Sequence, residues 1–329
     1  MGKQDEGHRR TEKALANLEK RIDSVYREAA QEIGGTISDY FAKFEKRDSE
    51  MLEMLKKGQI TEDHYKQWRL AQIGRGKRFE SLRDRLAERI TAANEVAVAY
   101  TNDATPGIYS LNRNYAAYSI EKVSGNVGFD LWDEQAARRL IVEQPNLMPY
   151  YPKKRALKRG IDLAYGKQQI TASITSSILQ GKSLKHMADD LQSRITTMGR
   201  ASAIRTARTA ATGAQNAGRM DSYHAAEKMG IKLRKEWLAT LDGRTRHTHA
   251  KLDGKTAALD EEFSNGCRYP GDPEGPAAEV YNCRCTLVAA IDGVDTSDSL
   301  RRARNPWTGE SEFVPDMTFS QWESRKGMK

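Results

Sequence analysis

The chain has 329 residues, more than one hydrophobic core usually organises, so two or three structural units are expected. Hydrophobic residues make up 38% and charged residues 30%, a balance that suits extended helices with little core per residue. No apolar stretch reaches membrane-spanning length, which excludes a helical membrane span, and the formal charge of +8 points towards phosphate-rich or acidic partners.

The opening MGKQDEGHRR has no apolar segment behind its charges and does not read as a signal peptide, so the protein is expected to be made and kept in a reducing cytoplasm. Leu15, Leu18, Ile22, Val25 and Ala29 then recur at three- and four-residue intervals, and Ile33, Ile37, Phe41 and Phe44 carry the stripe onward. A second stripe runs through Phe79, Leu82, Leu86, Ile90, Ala93 and Ala97. Between them a short helical pattern from Met51 to Leu55 ends at Gly58, where left-handed geometry is cheap. Residues 1–104 therefore predict a long helical hairpin that packs on itself or serves as a docking arm for a helical partner.

From Thr101 to Pro152 the pattern loosens. Thr105-Pro106-Gly107, Gly125, Gly128 and the stretch Pro145 to Pro152 punctuate it, and Tyr109, Tyr115, Tyr118, Trp132, Tyr150 and Tyr151 crowd into it. Residues 105–152 read as an aromatic, loop-rich connector. Lys153, Lys154, Arg155, Lys158 and Arg159 follow, either as a solvated face or as a contact for DNA or an acidic partner.

Residues 153–230 predict a helical middle region. Ile170, Ile174, Ile178 and Leu179 form one stripe that Gly181 closes, and Ser183 stands where an N-cap belongs before Leu184, Met187, Leu191 and Ile195. This order resembles a helix-turn-helix, but Asp189 and Asp190 would oppose phosphates, so a plain helical hairpin is preferred. A third helix is expected from Ala201 to Met229, with Arg200, Arg205, Arg208 and Arg219 among small residues that permit close packing.

The texture changes at Ile231. Lys232 to Ala239 reads as a strand, Asp242-Gly243 as a turn, Arg244 to Leu252 as a short helix ended by Asp253-Gly254, Phe263 to Pro276 as loop, and Thr286 to Ile291 as a closing strand. Residues 231–292 thus form a small α+β module, and the whole chain is mainly α. This module holds all three cysteines and two of the six histidines: His247, His249, Cys267, Cys283 and Cys285.

An odd cysteine count in a reducing compartment disfavours a disulfide framework. A structural zinc would use Cys283, Cys285 and two of Cys267, His249 and His247, and would supply folding energy to a segment with few large aliphatic residues. The one-residue spacing of the Cys pair is tighter than usual. A catalytic metal would need an open position and a base such as Asp253 or Asp260. Free thiols beside a capping histidine, with no metal, is the third reading.

Trp237, then Asp242-Gly-Arg244-Thr-Arg246-x-x-His249-x-x-Leu252-Asp253-Gly254, Phe263, Tyr269-Pro-Gly-Asp-Pro273 and Asn282-Cys283-Arg284-Cys285 resemble the signature of the Mu F-like head morphogenesis proteins of tailed bacteriophages. Arg208-Thr209 and Asn216 with Arg219 match the helix that precedes that signature, although Ala210 stands where the family commonly has Glu. The resemblance covers roughly Pro152 to Asp292. It implies a minor head protein of the virion, inside the head near the portal vertex, with no catalytic residues. It also implies roles in assembly, DNA packaging or ejection, with portal protein, packaged double-stranded DNA and scaffold or capsid protein as partners. A metal-dependent nuclease or toxin-like effector delivered with the genome is the alternative, since Mu F-like modules can occur joined to toxin domains. Residues 293–329, with Asp295-Thr-Ser-Asp, Arg301-Arg302-Ala-Arg304 and Phe319-Ser-Gln-Trp322, read as a tether ending in a small anchor helix.

Overall fold

The computed structural model describes residues 5–125, 127–144, 159–294, 300–305 and 308–326. Ten helices and five short strands occur among them, so the chain is mainly α with small sheets near the C-terminus, as the sequence predicts. The helices are α1 (Glu6–Ala42), α2 (Glu45–Lys56), α3 (Glu62–Gln72), α4 (Gly76–Ser124), α5 (Glu134–Glu143), α6 (Arg159–Leu179), α7 (Leu184–Lys228), α8 (His247–Leu252), α9 (Ala277–Val280) and α10 (Phe319–Arg325).

Several local signals act as expected. Gly58 and Gly181 adopt positive φ just beyond α2 and α6, and the Ser183 hydroxyl accepts from the His186 backbone N–H at 3.3 Å at the start of α7. Three expectations fail. Helix α3, started by Thr61 as N-cap, was not anticipated. Helix α4 runs straight through Thr105-Pro106-Gly107, where a loop was predicted. Thr101, Thr105, Ile108 and Tyr109 are buried around that proline, and their packing outweighs its local cost of about 3 kcal/mol. The helices expected on either side of Gly199 are one, α7, because Gly199 sits where Tyr26 and Ile90 pack closely and a break would open that contact.

The described residues form two compact units that do not follow the chain in sequence. One draws on Lys20–Tyr100 and Lys153–Ile204, the other on Met1–Glu19, Thr101–Pro152 and Arg205–Lys329. Helices α1, α4 and α7 supply residues to both. In the first, the apolar stripes deliver Ile22, Ile33 and Ile37 of α1, Leu82 and Leu86 of α4, Ile174 and Ile178 of α6, and Leu191 of α7 to the interior. A buried ion pair, Arg69 with Asp48 at 2.6 Å, is completed by the Tyr65 hydroxyl, which donates to Asp48 at 3.0 Å.

The second unit contains every described strand. Strands β1 (Leu233–Leu238), β2 (Thr256–Ala257) and β3 (Thr286–Ile291) form an antiparallel sheet in the order β2-β1-β3, with Trp237 opposite Leu287. Trp237 and Leu287 share one core with Ile108, Tyr109 and Ile120 of α4, Ile141 of α5, and Ala214, Met220 and Tyr223 of α7. The α+β segment therefore has no private core; it borrows one from three helices. Close approach is essential to this. A Cβ on Gly218 of α7 would lie 2.4 Å from the Tyr109 carbonyl oxygen of α4.

The C-terminal stretch is corrected. Strands β4 (Leu300–Arg304) and β5 (Ser311–Pro315) form a hairpin, and α10 carries a capping box between Thr318 and Gln321. The anchor helix exists, but Trp322 is fully buried with Leu241, Ala303, Val314 and Phe319 in a core of this unit. Residues 300–305 and 308–326 are thus folded structure, not a tether. Asp295 and its neighbours lie outside the described residues.

Two glycine substitutions separate packing from helix propensity. Gly218→Ala is expected to destabilise the chain by about 1–3 kcal/mol through overpacking against backbone. Gly35→Ala, mid-helix on α1 with nothing within 4 Å of the new Cβ, is expected to stabilise it by about 1 kcal/mol. Thermal unfolding of both variants checks the pair.

Candidate metal centre on a helix-clasped turn

Ala-rich α7 carries one polar stripe, Thr209, Thr212, Asn216 and Arg219, whose spacings of three, four and three put these residues on a single face. That face grips the segment from Asn282 to Leu287. The Asn282 backbone N–H donates to the Thr209 hydroxyl at 3.1 Å, and the Thr212 hydroxyl donates to the Cys283 carbonyl at 2.6 Å. Asn216 donates to the Pro270 carbonyl at 2.9 Å and the Cys285 carbonyl at 3.3 Å, while its own oxygen accepts from Leu287 N–H at 2.9 Å. Arg219 donates to the Leu287 carbonyl at 2.6 Å, to both Asp5 oxygens, and to Asn112. Backbone groups that a strand end would leave bare are satisfied by helix side chains.

Asn282 starts this segment at φ 58, the only non-glycine residue at positive φ among the described residues. Asn tolerates that conformation better than other side chains with a Cβ. Just downstream, Cys283 and Cys285, two residues apart, both turn their sulfurs to the same imidazole. This resolves the tight spacing seen in the sequence. Their thiols meet His249, which α8 presents from across the sheet end: His249 Nδ1 lies 3.6 Å from Cys283 Sγ and 3.4 Å from Cys285 Sγ. All three side chains are buried, and their donor atoms lie within 4.8 Å of one another. The imidazole stands edge-on to Trp237, 5.2 Å between centroids, and its Nε2 lies 2.9 Å from a Glu279 carboxylate oxygen, off the line of a hydrogen bond. Glu279 also accepts from the Thr248 hydroxyl at 2.8 Å.

Burial pushes the Cys283 thiol well above the usual range, and its hydrogen bond to Cys285 adds to this. For Cys285 burial acts in the same direction, but the Cys283 hydrogen bond and the adjacent His249 more than offset it and hold the group low. One sulfur of the pair is thus poised as a thiolate beside the imidazole.

The other predicted ligands lie apart. Cys267 is buried against Gly275 and Val280, and burial raises its thiol to about 12, the mark of an inert packed cysteine. His247, two residues before His249 on a helix, is exposed on another side. Asp253, considered as a catalytic base, accepts from Ala239 N–H at 2.7 Å, from Arg301 at 2.8 Å twice, and from Phe319 N–H at 2.6 Å, so it is a structural hub. Asp260 is exposed.

The remaining signature residues hold the frame. Asp242 accepts from the Arg284 guanidinium, from Arg244 N–H at 2.9 Å and from the Thr245 hydroxyl; burial opposes its charge, but Arg284 keeps it below the usual carboxylate range. Arg246 donates to the Tyr281 carbonyl, and Arg208 pairs with Glu19 at 2.6 Å. Gly254, at φ +74, permits the turn after α8. Of the basic run, Lys153, Lys154, Arg155 and Lys158 lie outside the described residues, while Arg159 pairs with Glu88 at 3.0 Å and with Glu95.

Thr212 and Glu279 are the site residues that the sequence pattern does not single out. The three-and-four spacing of Thr212 with Thr209 and Asn216 was a visible signal. Glu279, in Ala277-Ala-Glu-Val280, carried none.

This is a mainly helical protein whose small α+β segment is clasped by one long helix through a polar face. Residues 168–288 match the family described as Phage Mu protein F like protein. Over 98% of its length the chain is 29% identical to minor head protein GP7 of Bacillus phage SPP1, covering 97% of that protein. It is 37% identical over 171 residues, 51% of this chain, to NAD(+)-arginine ADP-ribosyltransferase EFV of Enterococcus faecalis, covering 33% of that protein. Over 126 residues, 36% of this chain, it is 30% identical to protein YqbB of Bacillus subtilis, covering 40% of it. No solved structure matches. The Mu F-like segment thus lies inside a chain whose similarity to a phage minor head protein extends over nearly its whole length.

Asn216→Ala strips buried partners from Pro270, Cys285 and Leu287 together. The expected cost is about 2–4 kcal/mol, read from denaturant midpoints. A cost under about 0.5 kcal/mol would mean that the helix face does not hold the segment.

Proposed function

We propose that this chain is a minor head protein of a tailed bacteriophage, acting in head morphogenesis as a component of the virion rather than as an enzyme. The observation that carries this is the extent of its similarity to minor head protein GP7, which runs through 98% of the chain and so includes the long helices outside the Mu F-like segment. Within that role the chain associates with the portal vertex inside the head, in contact with portal protein and scaffold or capsid protein, and supports assembly, DNA packaging or ejection. Long helices with exposed charged faces suit docking on a helical partner. A net charge of +8 suits life beside packaged DNA, through contacts to the phosphate backbone that are indifferent to sequence.

The similarity to an ADP-ribosyltransferase favours one other reading, an effector activity. The match extends over only 33% of that enzyme, and Asp253, one of the two carboxylates considered as a base, is held in a buried ion pair with Arg301. We assign no residues to catalysis, for transfer or for metal-dependent cleavage.

Co-expression with the portal protein of the same phage is expected to yield a complex that survives gel filtration. The chain alone should retard DNA of any sequence at about 50 mM salt and release it by about 200 mM. Absence of both would contradict the reading. Incubation with labelled NAD(+) and an arginine-bearing acceptor, or with DNA and added Zn or Mg, is expected to give no product above that of His249→Ala; turnover that this variant lacks would establish the effector instead.

A further inference from the structure

We propose that His249 Nδ1, Cys283 Sγ and Cys285 Sγ bind one zinc ion that staples α8 to the helix-clasped turn. Around zinc, with bonds of about 2.3 Å to sulfur and about 2.0–2.1 Å to nitrogen, the tetrahedral nitrogen-to-sulfur edge is about 3.5 Å. The two distances here, 3.6 and 3.4 Å, bracket it. Without a metal the ring nitrogen, with one lone pair or one proton, can serve only one sulfur, and the other is left to the hydrogen bond between the two cysteines. A cation between the three serves both.

The surroundings agree with that assignment. A metal-bound imidazole usually directs its other ring nitrogen at a carboxylate, which fixes the tautomer. Glu279 stands 2.9 Å from Nε2 and is itself held by Thr248. Trp237 fixes the ring plane. The backbone of both cysteines is already anchored, Cys283 through Thr212 and Cys285 through Asn216, so the ligands are preorganised and little ordering remains to oppose binding. Four-ligand schemes that include Cys267 or His247 are replaced, since neither side chain joins the donor cluster. Three protein donors leave one tetrahedral position for a small donor such as water. The role is structural: the three side chains are buried, and none lines the broad groove of this unit, which is bordered by Arg208, Arg244 and Arg284.

The test uses the full chain, purified reduced and without a histidine tag. Elemental analysis is expected to find one zinc per chain. After chelation, added cobalt(II) should give the sulfur-to-cobalt charge-transfer absorption of a thiolate site. Cys283→Ser, Cys285→Ser and His249→Ala should each lose stoichiometric metal, Cys267→Ser should keep it, and Glu279→Gln should weaken zinc affinity about 10–100-fold. Circular dichroism establishes that each variant is helical. Should a ligand variant fail to fold, the wild-type cobalt spectrum and the Cys267→Ser stoichiometry decide. The proposal is overturned by folded, reduced wild-type chain that takes up neither zinc nor cobalt, by full binding in Cys283→Ser, by loss of binding in Cys267→Ser, or by a Cys283–Cys285 disulfide in the purified protein.

Discussion

The carboxamide of Asn216 sits at the junction on which the C-terminal half depends. From the middle of α7 it holds the carbonyls of Pro270 and Cys285 and the amide of Leu287, three backbone groups from two segments far apart in sequence. Each would otherwise be buried without a partner, at a cost of about 1–3 kcal/mol. Thr209, Thr212 and Arg219 extend the same grip along one helix face, so the Cys-Arg-Cys turn takes its position from a helix more than sixty residues upstream. A second hub, the carboxylate of Asp253, repeats the device and ties in the C-terminal hairpin through Arg301.

Periodicity revealed the elements, and spacing revealed the site, but neither revealed continuity. The stripes of α1, α4 and α6, the glycine stops at Gly58 and Gly181, and the strands flanking the module were legible because each is written in local pattern. Proline at position 106 and glycine at 199 read as breaks; the structure overrides both, because buried neighbours on adjacent turns repay the local penalty. The discontinuous units were illegible for the same reason, since which stripe meets which is decided by packing across long sequence separations. The tail was misread because its hydrophobic residues are few. Trp322 and Phe319 complete a core whose other members lie elsewhere in the chain.

For the site, His249, Cys283 and Cys285 were named from sequence and the structure brings them together, whereas Cys267 and His247 are kept apart by packing and by helix phase. A metal is not needed to stand in for a missing core in this module. Trp237 and Leu287 share their core with three helices. What supports a metal now is donor geometry alone, with Glu279 behind the imidazole. The signature's residues lie in the framework: Trp237 fills the core, and Asp242, Arg246, Asp253, Gly254 and Asn282 each hold a turn, a backbone carbonyl or a buried charge.

Gripped in this way, α7 and the Asn282–Leu287 segment form one cooperative body. Native-state hydrogen exchange at the Leu287 amide tests it most directly. The account predicts that this amide exchanges only through the same opening as the amides of α7 around Asn216, with equal free energies and equal denaturant dependence. Exchange of Leu287 through a local opening well below that free energy, with the α7 amides still protected, would contradict it.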